Sequence, residues 1–137
     1  MMPRIPATIL ARMTIWSVGG FAIVQGLGMI WGGPHRWLGP AYAVVRQAPG
    51  SPYTWGAALV LFGCLTLSGS VLRRWRVKAA GLLGVSLWSG TFSIGAFAAT
   101  LTDPDAGTTG GPAYLLIAFS SAILIHVDEA GGKRVQT

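Results

Sequence analysis

Charged residues are scarce in this chain of 137 residues: they make up 10% of it, whereas 52% is hydrophobic. Soluble domains carry about 25% charged residues, so this composition cannot cover a water-exposed surface. Disorder is excluded as well, because disordered segments combine low hydrophobicity with high net charge. The composition therefore predicts an integral membrane protein.

Residues that carry chemistry are also few. The single cysteine, Cys64, excludes an intrachain disulfide and a metal site built from several cysteines. The sequence contains no P-loop, no serine nucleophile elbow and no Cys-His pair. We expect His35 and His126 at opposite faces of the membrane, too far apart to hold one haem or metal. We therefore expect no enzymatic activity, no cofactor and no metal.

Four apolar runs without an internal charge approach the length of about 20 residues that a helix needs to cross a bilayer. They extend over about Met13–Trp31, Thr54–Leu72, Ala79–Leu101 and Gly111–Val127. Backbone polar groups in lipid must be satisfied within the spanning structure, which favours helices here because the alternation of barrel strands is absent. The chain is thus predicted to be one all-α membrane domain, a bundle of four transmembrane helices.

The connection after the first run is rich in aromatic residues. Within it, Pro40–Ala48 follows a glycine and precedes Pro-Gly, a pattern that predicts a short interfacial helix. Aromatic side chains suit the headgroup level. Those that we assign as interface anchors are Trp31, Trp37, Tyr42, Tyr53 and Trp55. Anchoring is the first interpretation, and a partner-binding surface or a pore mouth is the alternative.

Basic residues divide unequally between the two predicted sides of the membrane. The side with the termini holds eight, and the other side holds only Arg36 and Arg46. Cytoplasmic loops carry an excess of Lys and Arg, so both termini are predicted in the cytoplasm. The same residues are expected to contact anionic membrane lipids rather than nucleic acid. Those that set the topology are Arg4, Arg12, Arg73, Arg74, Arg76 and Lys78, with Lys133 and Arg134 after the fourth run.

Small residues four positions apart predict close helix packing. Gln25 is the one strongly polar side chain deep in a run, and we expect it to bond between helices, with a polar pore lining as the alternative. The small pairs can pack within the bundle or between copies in a homo-oligomer. They are Ala80 with Gly84, Ser86 with Gly90 and Gly95 with Ala99 in the third run, and Gly28 with Gly32 in the first.

A short internal repeat follows the first and third runs. Gly39-Pro40-Ala41-Tyr42 recurs as Gly111-Pro112-Ala113-Tyr114. Each copy stands after the predicted outer end of a span. The repeat is either a chance match or the trace of a duplicated hairpin.

Three short sequence segments resemble those of a known family. Pro52-Tyr53-Thr54-Trp55-Gly56 opens span two, Leu72-Arg73-Arg74-Trp75-Arg76 closes it, and Asp103–Tyr114 leads into span four. In layout and phrasing, over about residues 13–129, the chain resembles small four-span membrane proteins of actinobacterial phages, some of which are assigned as holins.

The resemblance implies a holin-like protein that oligomerises in the inner membrane and permeabilises it for host lysis. A second hypothesis is a non-enzymatic interaction protein that binds another membrane protein, such as a superinfection-exclusion factor or an accessory subunit of a membrane complex. A small transporter subunit is a third, although no ionisable group lies inside a span, which argues against ion coupling.

Overall fold

The described residues of the protein form four α-helices. The computed structural model describes residues 7–32, 38, 39, 42, 46, 47, 50–103 and 110–133, with side chains described between residues 9 and 127 of these ranges. The helices are α1 (Ala7–Trp31), α2 (Tyr53–Val71), α3 (Trp75–Thr102) and α4 (Gly110–Lys133). All four are long and apolar enough to cross a membrane. The predicted all-α membrane bundle is confirmed.

Three helices extend beyond the apolar runs that predict them. α1 begins at Ala7 rather than Met13, α3 begins at Trp75 rather than Ala79, and α4 continues to Lys133. A charged residue ends an apolar run but not a helix, because a helix keeps its own backbone hydrogen bonds outside the bilayer core and its long basic side chains reach water. The turn between α2 and α3 is therefore only Leu72–Arg74.

Some predicted features fall outside the described residues. These include Arg4, Trp37, Arg134 and most of the proposed interfacial helix Pro40–Ala48, of which the structure describes only Tyr42 and Arg46 with the adjacent Gln47.

α1 and α2 approach each other most closely where glycines face one another. A Cβ atom at Gly26 would lie 2.6 Å from the carbonyl oxygen of Gly56, and one at Gly63 would lie 2.9 Å from that of Gly19. A larger residue at these positions pushes the helices apart. Gly19 faces Gly63 and Gly26 faces Gly56. The residue numbers rise along α1 while those of the residues they face fall along α2, so the two helices are antiparallel. Lipid offers no hydrophobic force between helices, so backbone packing of this kind holds them together.

α3 is the central helix of the bundle. It packs against both α2 and α4, and a larger share of it is buried than of any other helix. Gly81 and Gly84 let α2 pack closely against α3. A Cβ at Gly81 would collide with Thr66, and one at Gly84 would collide with the ring of Phe62. α1 and α4 meet over a shorter seam that closes the bundle.

The up-and-down order gives the bundle two different ends. We call the end with the start of α1, the end of α4 and the 72–74 turn the terminal end, and the end with the 32–52 and 103–109 connections the loop end. Arg12 and Arg76 are exposed at the terminal end. Between the ends, large apolar side chains such as Val24 and Ile94 are 71% and 72% exposed. Such an apolar surface suits contact with lipid, as expected for a bundle of membrane-spanning helices.

Alanine substitutions two positions apart on α1 test the glycine contact. Gly26→Ala should lower the free energy of unfolding by about 1–3 kcal/mol, because overpacking forces backbones to move. Gly28→Ala is the matched control, since a Cβ there would meet nothing within 4 Å. It should leave stability unchanged or raise it slightly, because alanine is the better helix former. Thermal unfolding in detergent micelles measures both; equal effects would contradict the contact.

Candidate functional site

Four aromatic side chains surround Phe92 in the loop-end half of the bundle. The ring of Trp88 stacks on Phe92 with centroids 3.9 Å apart, while Tyr42, Trp55 and Tyr114 lie at 6.0, 5.9 and 5.6 Å. Trp88 and Phe92 are four positions apart on α3 and therefore share a face. This aromatic cluster joins the first connection, α2, α3 and α4, and each ring pair adds about 0.5–1.5 kcal/mol beyond its buried area.

Trp88, Tyr114 and Tyr42 of the aromatic cluster have hydrogen-bond partners for their side-chain polar atoms. The indole nitrogen of Trp88 donates to the carbonyl oxygen of Trp55 at 3.2 Å. The side-chain amide of Gln25 on α1 donates to the Tyr114 hydroxyl at 3.1 Å, and Tyr114 also hydrogen-bonds the Tyr42 side chain. Gln25 thus forms the bond between helices that the sequence predicts, and it fastens the short seam between α1 and α4.

The repeated tetrapeptide converges on this cluster. Its two tyrosines, Tyr42 and Tyr114, both contact the ring of Phe92 from different segments of the chain. Each copy therefore supplies one aromatic side chain to the same core. The two tyrosines of the repeat therefore have a structural role at the loop end.

Hydroxyl groups join α3 to α4. Ser86 donates to the carbonyl oxygen of Ala118 at 2.9 Å, and Ser93 donates to that of Gly111 at 2.8 Å. The bonded residues have rising numbers along α3 and falling numbers along α4, so these two helices are also antiparallel. Ser89 lies between the two serines and is fully buried, and its hydroxyl has no hydrogen-bond partner among the described residues. An unpaired buried hydroxyl costs about 1–3 kcal/mol, so α3 carries a polar group that the closed bundle does not use.

Two apolar grooves flank the exposed face of α3. The groove between α2 and α3 has a volume of about 340 Å³, and Phe62 and Trp88 form part of its lining. The groove between α3 and α4 has a volume of about 360 Å³ and is lined in part by Gly90 and Ala118. Leu87 lines both and forms the ridge between them. A Cβ at Gly90 would meet nothing within 4 Å, so this groove has a shallow, open floor.

The small residues predicted as packing positions on α3 have different surroundings. Ser86 bonds α4, as described above. Ala80 is exposed and Gly90 faces the open groove, so neither makes a close helix contact within the described bundle. The remaining three are buried: Gly84, Gly95 and Ala99.

The glycines that bring α1 and α2 together are not among the packing positions predicted from the sequence. Gly28 is among those positions, but its Cβ position is open. The glycines in contact recur at seven-residue spacing, which is about two helical turns and keeps them on one face. The same spacing in both helices is the sequence feature from which this contact could have been predicted. The residues are Gly19 and Gly26 on α1 and Gly56 and Gly63 on α2.

The predicted anchors divide into two groups. Trp31 and Tyr53 are 78% and 60% exposed at the loop end, where they can reach the headgroups. Trp55 and Tyr42 are half-buried in the aromatic cluster and serve packing as well. At the opposite end His126 is exposed. Within the described residues, no group of three or more His, Cys, Asp and Glu could hold a metal ion.

The bundle therefore presents three features from which a function can be argued. These are a filled aromatic and polar core at the loop end, an open groove at Gly90, and a basic terminal end. No protein-family model, curated protein or solved structure matches the chain.

A double-mutant cycle tests the bond between α1 and α4. Gln25→Leu and Tyr114→Phe should each destabilise the protein, and their coupling should be about 0.6–1.7 kcal/mol, the range for hydrogen bonds between membrane helices. Thr91→Val is the control, because the Thr91 hydroxyl bonds only to the Leu87 carbonyl of its own helix. Unfolding in micelles gives the energies, and strictly additive effects would contradict the bond.

Proposed function

We propose that the protein is holin-like: it accumulates in the inner membrane of a bacterial host, associates into oligomers and permeabilises the membrane for lysis. The resemblance of its layout and loop phrases to small four-span phage proteins supports this function. So does a membrane bundle with four candidate spans. In this proposal it performs no chemistry and holds no cofactor, and both termini lie in the cytoplasm.

The observation that carries the proposal is the contrast between a filled interior and an open lipid-facing groove. The aromatic cluster occupies the loop-end half, and Leu59, Leu82 and Val85 are fully buried. A passage for ions or proteins through one copy would require this core to come apart. Permeation between several copies does not require the core of any copy to come apart.

The groove at Gly90 is the surface that we assign to association between copies. Ser86, Gly90 and Ala118 lie along it, and small residues let the backbone of another helix approach closely. Gly84, by contrast, already contacts Phe62 within the bundle. A change at Gly84 therefore acts on the fold, whereas a change at Gly90 acts on the outer surface.

The second candidate is a membrane interaction protein that binds a partner without permeabilising the membrane. The groove between α2 and α3 favours it, because the aromatic side chains of Trp55, Phe62 and Trp88 line this groove and offer a partner a contact surface. The two candidates predict different effects on the membrane potential.

Inducible expression with a membrane-potential dye separates them. The wild-type protein should collapse the potential of the host after a delay. Gly90→Leu should insert normally and delay or abolish the collapse, because a leucine side chain fills the groove. Gly28→Leu is the matched control: it also adds a leucine at an open glycine, but on α1, and its timing should equal that of the wild type.

An intact potential at high wild-type expression would refute the holin-like function and leave the interaction protein. Collapse with unchanged timing in Gly90→Leu would keep the function but exclude this groove as the contact between copies. Chemical crosslinking of each variant in the membrane gives the oligomeric state independently of permeabilisation.

A further inference from the structure

The turn between α2 and α3 has a defined backbone geometry. After α2 ends at Val71, the amide of Arg74 donates to the carbonyl oxygen of Gly69 at 2.9 Å. This bond across the helix end accompanies a left-handed residue at Arg73, with φ of 53°. α3 begins directly afterwards at Trp75. The turn is therefore a short, fixed connection and not a free loop.

Glycine is the usual residue at this left-handed position, because it has no Cβ to strain the backbone. The protein has arginine there instead. A positive charge needed only for membrane orientation could stand at any position near the turn. The left-handed backbone fixes the Cα of Arg73 in the same short segment as Arg74 and Arg76, and all three side chains are exposed.

The turn lies where lipid headgroups would be. It joins two helices that are apolar enough to cross a membrane. Leu72 and Trp75, which flank the arginines, are 62% and 51% exposed. Apolar and tryptophan side chains beside exposed arginines suit the boundary between acyl chains and headgroups. The exposed arginine side chains thus lie at the ends of two candidate spans.

The charge at this end is predominantly positive. Five basic residues with described side chains lie there: Arg12, Arg73, Arg74, Arg76 and Lys78. The one acidic residue with a described side chain, Asp103, lies at the loop end. Asp128 and Glu129 fall near the end of α4 at the terminal end, so the positive residues outnumber the acidic ones.

From this juxtaposition we propose that the arginine turn, defined as Arg73, Arg74 and Arg76, is a binding site for the phosphate group of an anionic phospholipid. Guanidinium groups form bidentate, charge-assisted hydrogen bonds with phosphate oxygens. Leu72 and Trp75 contact the upper part of the acyl chains. The site is independent of whether the protein permeabilises membranes.

Titration of the purified full-length protein in neutral micelles tests the site. Phosphatidylglycerol should raise the thermal unfolding temperature more than phosphatidylcholine, and added salt should weaken the effect because it screens exposed charges. Each Arg→Gln change in the turn should lower the apparent affinity about fivefold, and the triple variant about a hundredfold. Arg46→Gln is the matched control, because Arg46 is exposed at the loop end; it should bind like the wild type.

Arg73→Gly separates the loss of the site from a loss of folding. Glycine suits the left-handed backbone, so this variant should unfold at the same temperature as the wild type or higher without lipid, and still lose about fivefold in affinity. Equal stabilisation by both lipids, or equal loss in Arg46→Gln, would overturn the proposal. Inorganic phosphate that stabilises the protein as well as phosphatidylglycerol does would overturn the assignment to a lipid.

Discussion

The close approach of helix backbones at facing glycines is the contact on which the rest of the bundle depends. In lipid, apolar side chains gain nothing by leaving their surroundings for a protein interior, so helices associate through packing and hydrogen bonds. Gly26 and Gly56 allow α1 and α2 to touch at the backbone, and Gly81 does the same for α2 and α3. Once these helices are in place, the aromatic cluster has a fixed space to fill.

Hydrogen bonds from polar side chains join further pairs of helices. Ser86 and Ser93 join α3 to α4, and Gln25 joins α1 to Tyr114. These bonds hold the helices that the glycines do not bring together. The bundle is therefore tight along α1, α2 and α3, whereas among the described residues one hydrogen bond, from Gln25 to Tyr114, joins α1 to α4. Ser89, buried without a partner, is the polar group that this arrangement leaves unused.

The sequence predicts the number of helices and their places in the chain, because apolar runs between charged breakers follow directly from the bilayer. It does not predict helix ends well: Arg76 and Lys78 end an apolar run but lie inside α3. Nor does it say which glycines make contact. Gly26 and Gly28 are two positions apart and equally small, yet only Gly26 faces α2. That choice depends on how the helix is rotated, which the neighbouring helix determines. The aromatic cluster has the same origin, since Tyr42 and Tyr114 are distant in sequence and meet only when α3 and α4 are packed.

We propose that the bundle crosses the membrane with its basic terminal end in the cytoplasm. Cysteine labelling tests it most directly, in a Cys64→Ser background that removes the one native thiol. Gln47→Cys at the loop end and His126→Cys at the terminal end both place a thiol at an exposed position. An impermeant maleimide should label Gln47→Cys in intact cells and label His126→Cys only after the cells are opened. Labelling of His126→Cys in intact cells would contradict this orientation.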